Sequence, residues 1–311
     1  MSGDMAGVAQ SDFGTLKRVA LKNVRDAFVD QDTADAQWHE LNYTARPDLG
    51  RAKVEYDRLA DLLRGRGIEL VFMPHNPKLG LDSLYVRDAA VVCDRGVILG
   101  RMGKQARRGE PAAQGEFFNG LGLEILGAIE APGTVEGGDV TWLDRRTLAV
   151  GHGYRTNAAG IEQLRSLLAD SVDEIIVVPL PHHRGPNDVF HLMSIISPLD
   201  HDLALVYSPL MPVPFRQTLI DRGFELVEVP DEEFDSLGCN SLALAPRTCL
   251  LASGNSRTRA RLQRAGVEVI KFSGSEISVK GGGGPTCLTR PLEWQLDAQP
   301  RVEASNKETA P

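Results

Sequence analysis

The 311-residue chain lacks most of the features that would point to metal, disulfide, membrane or nucleic-acid chemistry. Its four cysteines, Cys93, Cys239, Cys249 and Cys287, stand far apart with no Cys-x-x-Cys pair, which fits neither a zinc site nor a disulfide framework in a chain this long. Free, reduced thiols are the expectation. No stretch approaches the roughly 18 consecutive apolar residues of a membrane helix. Residues 1–14 lack a basic start followed by an apolar core. Dense Lys/Arg tracts are missing as well: 34 basic against 42 acidic residues give a formal charge of -8, which disfavours nucleic acid and anionic membrane as partners. These absences together predict a cytoplasmic protein.

What remains is ordinary globular material, 42% apolar and 24% charged, enough for a sizeable core. Residues 1–11 and 297–311 are small and polar and are expected to be flexible termini, leaving a single domain over 12–296. Within it one pattern recurs: a short apolar run, a polar turn, a second apolar run, then an Arg-containing segment with helical character. The copies are AVVCDRGVILGRMG from Ala90, VTWLDRRTLAVGHG from Val140, IISPLDHDLALVYS from Ile195 and LALAPRTCLLASGN from Leu242, spaced by roughly 50 residues. Segments such as TNAAGIEQLRSLLAD, from Thr156, carry apolar residues at three- and four-residue spacing and read as helices. Further strand-like runs follow, among them IELVFMP from Ile68 and EIIVVPLP from Glu174. The repeated unit is therefore ββαβ. If the last apolar strand, GPTCLTRPL from Gly284, pairs with RVALKN from Arg18, about five such units close into a ring with no exposed sheet edge.

Four segments could carry chemistry. In KGGGGPTCLTRPL, four glycines strip side chains from the approach to Cys287. A lone strand cysteine is most often a small buried hydrophobe. FHLMSIISPLD places His191 at the head of an apolar run, where a satisfied core histidine is the commoner reading. APGTVEGGDV sets Glu136 and Asp139 around two glycines, and SLYVRDAA sets Asp88 directly before a strand; solvated turn carboxylates are the plain reading of both. Taken together, a thiol, an imidazole and two carboxylates each precede a different repeat, and a closed ring would bring them to one mouth.

These residues resemble the guanidino-group-modifying enzyme superfamily of dimethylarginine dimethylaminohydrolases, arginine deiminases and amidinotransferases. The resemblance runs from about Leu81 to Leu292 and rests on GTVEGGD, RTNAAG, HLMS, GCN and GGGGPTC occurring in the family's order. It implies a five-bladed pseudo-symmetric α/β propeller, the pentein fold, with no cofactor and no metal. By resemblance, Cys287 attacks a guanidinium carbon, and His191 protonates the departing amine and later activates water. Glu136 orients His191 or the guanidinium, and Asp88 grips the substrate's nitrogens. Arg155 and Arg107 fall where dimethylargininases place arginines that bind the substrate's α-carboxylate. The residue types suit the task. A guanidine's amine leaves only when protonated, so an acid that can become a base is needed. Carboxylates match the planar cation, and the cation's charge favours a thiolate.

The implied partner is a small guanidino substrate, and the resemblance adds a homodimer. Met193, two residues after His191, stands where deiminases and amidinotransferases carry Asp, a pattern that resembles the dimethylargininases and leaves room for N-methyl groups. Arg87, preceding Asp88, and the four-glycine run look more like the deiminases. The expectation is thus hydrolysis of a methylated arginine to citrulline and an amine. Arginine deiminase and arginine dihydrolase remain alternatives, amidinotransferase is a weaker one, and a non-catalytic binder of arginine-like ligands is the alternative from another class. Two loops, PLPHHRGPND with His182 and His183, and FMPHNPKLGLD, are candidates to border the site, with a plain connecting loop the commoner reading.

Overall fold

The computed structural model describes residues 8–296. Each repeat read from the sequence forms a three-stranded sheet whose first two strands make an antiparallel hairpin and whose third returns parallel to the second. Strand β1 (Thr15–Lys22) leads through helices α1 (Val24–Phe28), α2 (Gln31–Gln37) and α3 (Leu49–Gly65) to β2 (Glu69–Met73). The next blade holds β3 (Ala90–Cys93), β4 (Gly96–Leu99), α4 (Glu110–Gly120) and β5 (Ile125–Ala128). The third holds β6 (Val140–Trp142), β7 (Thr147–His152), α5 (Ala158–Leu168) and β8 (Glu174–Pro179). The fourth holds β9 (Ile196–Asp200), β10 (Leu203–Val206), α6 (Val213–Asp221) and β11 (Glu225–Glu228). The fifth holds β12 (Leu242–Ala245), β13 (Thr248–Ala252), α7 (Ser256–Arg264) and β14 (Glu268–Phe272). Strand β15 (Arg290–Gln295) closes the ring by pairing antiparallel with β1, Ala20 facing Arg290 and Val19 facing Pro291.

The result is the five-bladed α/β propeller expected from the repeats, with five three-stranded sheets. The helices bury one face each: in α3 this face is Leu49, Ala52, Tyr56, Leu59, Ala60 and Leu63, at helical spacing. Fully burying each leucine contributes roughly 1.5–3 kcal/mol. Asp48 caps α3 by accepting from the backbone N–H of Arg51. Asn157 caps α5 and its Oδ1 also accepts from the N–H of Thr134, so the helix start is tied to the segment carrying Glu136. Gly160 makes that docking possible, because a Cβ there would overlap the Thr134 carbonyl.

Two expectations change. Residues 8–11 are not a loose end: Val8 exchanges backbone hydrogen bonds with Trp294, and Gln10 donates to the carbonyls of Arg145 and Ser171. Their polarity hid this, because the contacts are backbone pairing and amide-to-carbonyl bonds rather than apolar packing. Residues 1–7 and 297–311 lie outside the described residues. The second change concerns Gly284 to Thr289, which form a turn rather than the start of the last strand; Leu288 N–H bonds back to the Gly284 carbonyl at 3.1 Å. Among the described residues no helix is long and apolar enough to cross a membrane.

Candidate active site

The segment entering the first strand of each blade ends at the same mouth. Asp88 lies two residues before β3, Glu136 four before β6, His191 five before β9, Asn240 two before β12 and Cys287 three before β15. Fold symmetry thus converts five positions spread over two hundred residues into one cluster, and all five side chains are buried. Glycines allow the close approach. A Cβ on Gly138 would stand 2.8 Å from both the His191 ring and Asp88 Oδ1, and one on Gly281 or Gly283 would overlap the Tyr85 ring.

His191 Nε2 and Glu136 Oε2 are 2.8 Å apart. The other Glu136 oxygen accepts from the backbone N–H groups of Gly103 and Lys104 at 2.8 and 3.2 Å, and Arg155 Nη1 donates to Oε2 at 3.0 Å. Asp88 Oδ2 receives Arg107 Nη1 at 2.5 Å while Oδ1 accepts from Gly138 N–H at 3.1 Å. Asn240 holds the turn around the thiol: its Oδ1 accepts from Thr286 N–H and Oγ1, and its Nδ2 lies 3.6 Å from Cys287 Sγ.

These contacts set the charges. Burial opposes a charged His191, yet Asp88, Asp139 and Glu136 outweigh it and push the imidazole up to about 9. Burial likewise works against ionised Glu136, but its bond to His191 and the Arg155 guanidinium hold it well below the usual carboxylate range. The Cys287 thiol is pushed up to about 11, by burial first and then by Asp88. Both shifts favour the protonated forms of the imidazole and the thiol near neutral pH.

Two cavities meet at His191 and Cys287. The inner one, about 20 Å³, is lined by Asp82, Asp88, Lys104, Arg107 and Arg155. The wider one, about 180 Å³, is walled by His183, Phe190, Met193, Phe234 and Leu237 and passes Asn240. Asp88, Glu136 and His191 offer three donor atoms within 4.8 Å of one another, the densest candidate cation set in the site. Two guanidinium groups and the mutual Glu136–His191 bond already engage those atoms.

Comparison with known proteins decides the family. Residues 28–293 match the family described as N,N dimethylarginine dimethylhydrolase, eukaryotic. The chain belongs to this family. It is 31% identical over 250 residues to the N(G),N(G)-dimethylarginine dimethylaminohydrolase of Streptomyces coelicolor, covering 80% of this chain and 89% of that protein. Its fold is similar to the dimethylarginine dimethylaminohydrolase of Pseudomonas aeruginosa solved with citrulline (TM-score 0.72, 24% identity, 90% of this chain and 100% of that one). It is also similar to the N-terminal domain of ArgZ, a cyanobacterial arginine dihydrolase solved with substrate (TM-score 0.75, 20% identity, 90% and 98%). Membership of the guanidino-group-modifying superfamily, on its dimethylargininase side, agrees with the resemblance read from the motifs.

Within that family frame, Cys287, His191, Glu136, Asp88, Arg155 and Arg107 all gather at the mouth, but the two arginines face inward. Arg107 spends Nε and Nη2 on Glu110 at 2.9 and 2.8 Å, Nη2 also on the Tyr85 carbonyl, and Nη1 on Asp88. Arg155 reaches Glu136 and the Asp188 carbonyl. The motif reading missed three lining residues: Asn240, whose signal was the GCN match, and the pair Lys104 and Asp82, joined at 2.6 Å. Asp82 closes the FMPHNPKLGLD loop, so that loop does border the site. Of the two loop histidines, His183 lines the wider cavity, whereas His182 bonds the Tyr154 hydroxyl.

Proposed function

We propose that this protein is a cysteine hydrolase that cleaves a C–N bond in the guanidinium group of an N-methylated arginine, releasing citrulline and a methylamine. The observation that carries the reading is the convergence of Cys287, the His191–Glu136 pair and Asp88 at one buried point. Substrate binds as a cation with Asp88 holding its nitrogens, and that positive charge beside Sγ draws the thiol toward thiolate, countering the burial that otherwise keeps it neutral. The thiolate adds to the guanidinium carbon. His191, charged at neutral pH, gives its proton to the departing nitrogen as the C–N bond breaks, leaving an S-thiouronium on Cys287. Neutral His191 then takes a proton from water, hydroxide adds to the same carbon, and the C–S bond breaks as the hydroxyl proton passes to sulfur, giving the ureido product and the resting thiol. Glu136 keeps the ring oriented through both transfers. Arg155 and Arg107 line the inner end, and for them to meet a substrate carboxylate Arg107 yields Asp88 to the incoming guanidinium.

Met193 in the wider cavity supports a methylated substrate, since a methionine there leaves the departing nitrogen uncharged, apolar surroundings. A second reading, hydrolysis of arginine itself, draws support from Arg87 before Asp88 and the four-glycine run before Cys287, both of which resemble the deiminases. The test is product release from arginine, monomethylarginine and asymmetric dimethylarginine. Dimethylamine with citrulline, falling by about 10³-fold or more in Cys287→Ala, is the expected result; ammonia from arginine alone moves the assignment to a deiminase or dihydrolase, and silence on all three sinks the hydrolase reading.

A further inference from the structure

Arg87 is buried behind the candidate nucleophile, with its side chain turned away from both cavities described above. Its Nε donates to the Thr286 carbonyl at 3.1 Å, and its backbone N–H donates to the Cys287 carbonyl at 3.2 Å. Two consecutive carbonyls of the Cys287 turn are therefore held by one residue. Nη1 reaches Asp12 Oδ1 at 3.2 Å, and the other Asp12 oxygen accepts from Trp142 N–H at 2.8 Å. The Arg87 carbonyl in turn accepts from Arg290 Nη2. The arginine thus ties together the Asp88 segment, the Cys287 turn and, through Asp12, the third blade.

We propose that Arg87 is a positioning residue for the Cys287 thiol: it locks the turn bearing the sulfur in register with neighbouring Asp88 and sets a permanent positive charge behind it. The reason for a guanidinium here is geometric, because its rigid planar fork serves a carbonyl and a carboxylate in fixed, different directions at once. Its charge also offsets part of the burial and the Asp88 field that disfavour a thiolate. Arg290 cannot replace it. Its Nε has no partner among the described residues, and it is bonded to the Arg87 backbone rather than to the turn.

The role in turnover rests on the reading of Cys287 as nucleophile; the role in thiol ionisation does not. The experiment measures the pH dependence of iodoacetamide alkylation at Cys287 in the unaltered protein and in Arg87→Met, Arg87→Lys and Asp12→Asn, with circular dichroism to confirm folding. Arg87→Met is expected to move the alkylation midpoint up and slow alkylation at pH 8 by about tenfold, the equivalent of one pH unit. Arg87→Lys restores the midpoint but not kcat, because the charge returns without the fork. Asp12→Asn shifts the midpoint the other way, having removed the counter-charge. A midpoint shared by Arg87→Lys, Asp12→Asn and the unaltered protein, with kcat unchanged in the lysine variant, overturns the proposal even if the methionine variant fails to fold. Failure of Cys287 to alkylate in the unaltered protein sinks the nucleophile reading instead.

Discussion

The two cavities that meet at Cys287 are built on opposite principles. At the inner end every carboxylate has a cationic partner: Asp82 with Lys104, Asp88 and Glu110 with Arg107, Glu136 with Arg155. Such a network is stiff and costly to open, since removing one partner strands a buried charge. The wider end has few ion pairs and mixes apolar and aromatic side chains with polar ones such as Arg184, Asn187 and Ser194. Tyr207 stacks on Phe234 at 4.1 Å, His183 packs edge-on against Phe234, and the loop from His182 to Phe190 supplies much of the wall. The contrast assigns recognition of charge to one side and tolerance of shape to the other. A loss at the inner end should therefore be large and electrostatic, and a change at the outer end small and selective.

The strongest way to break this contrast is Asp88→Asn. Turnover is expected to fall by about 10²–10³-fold, the usual cost of losing one charge-stabilising contact in an active site. Asp88 also raises the Cys287 thiol, so the same variant should alkylate faster at pH 8 while turning over more slowly. If both rates fall together, Asp88 acts through folding and not through the charge of the inner end. Met193→Asp tests the outer end: a carboxylate beside the departing nitrogen should move the kcat/KM ratio toward arginine and away from dimethylarginine by about tenfold, and an unchanged ratio would remove Met193 from specificity.

The smallest effect concerns pH and stability. His191 is held near 9 in the folded protein against about 6.5 unfolded. Because the folded value is the higher one, the stabilisation is fully present below about 6.5 and is lost as pH rises through 9. Tm is expected to decline by several degrees over that window, and Glu136→Gln should flatten the decline. A slope identical in both proteins would detach His191 from the charge network.

Much of this was legible in the residues. The hairpins from Ala90, Val140, Ile195 and Leu242 form where the paired apolar runs put them, because strand patterning is a local property that neighbouring blades only reinforce. Closure of the ring was visible as an apolar segment at each end. The partners of Arg107 were not. Its contact with Glu110 is local, but that with Asp88 joins the segment before β3 to the segment before α4, positions brought together only by the folded blade. Asp12 on Arg87 was equally invisible, since it relies on the first residues crossing the back of the ring. Cys287 was misread as a strand residue because the β-branched Thr286 and Thr289 and the apolar Leu288 around it resemble a short strand; the Asn240 clamp and the bond from Leu288 to Gly284 override that preference.

The pairing of β15 with β1 joins the two ends of the fold, and the candidate thiol lies three residues before that seam. On a ribosome the strands and helices of the other blades would emerge well before Cys287, which is delivered with the segment that seals the circle. An unfinished chain would carry His191, Glu136 and Asp88 but not the candidate thiol of Cys287. Maturation of the chemistry is thereby tied to completion of the architecture.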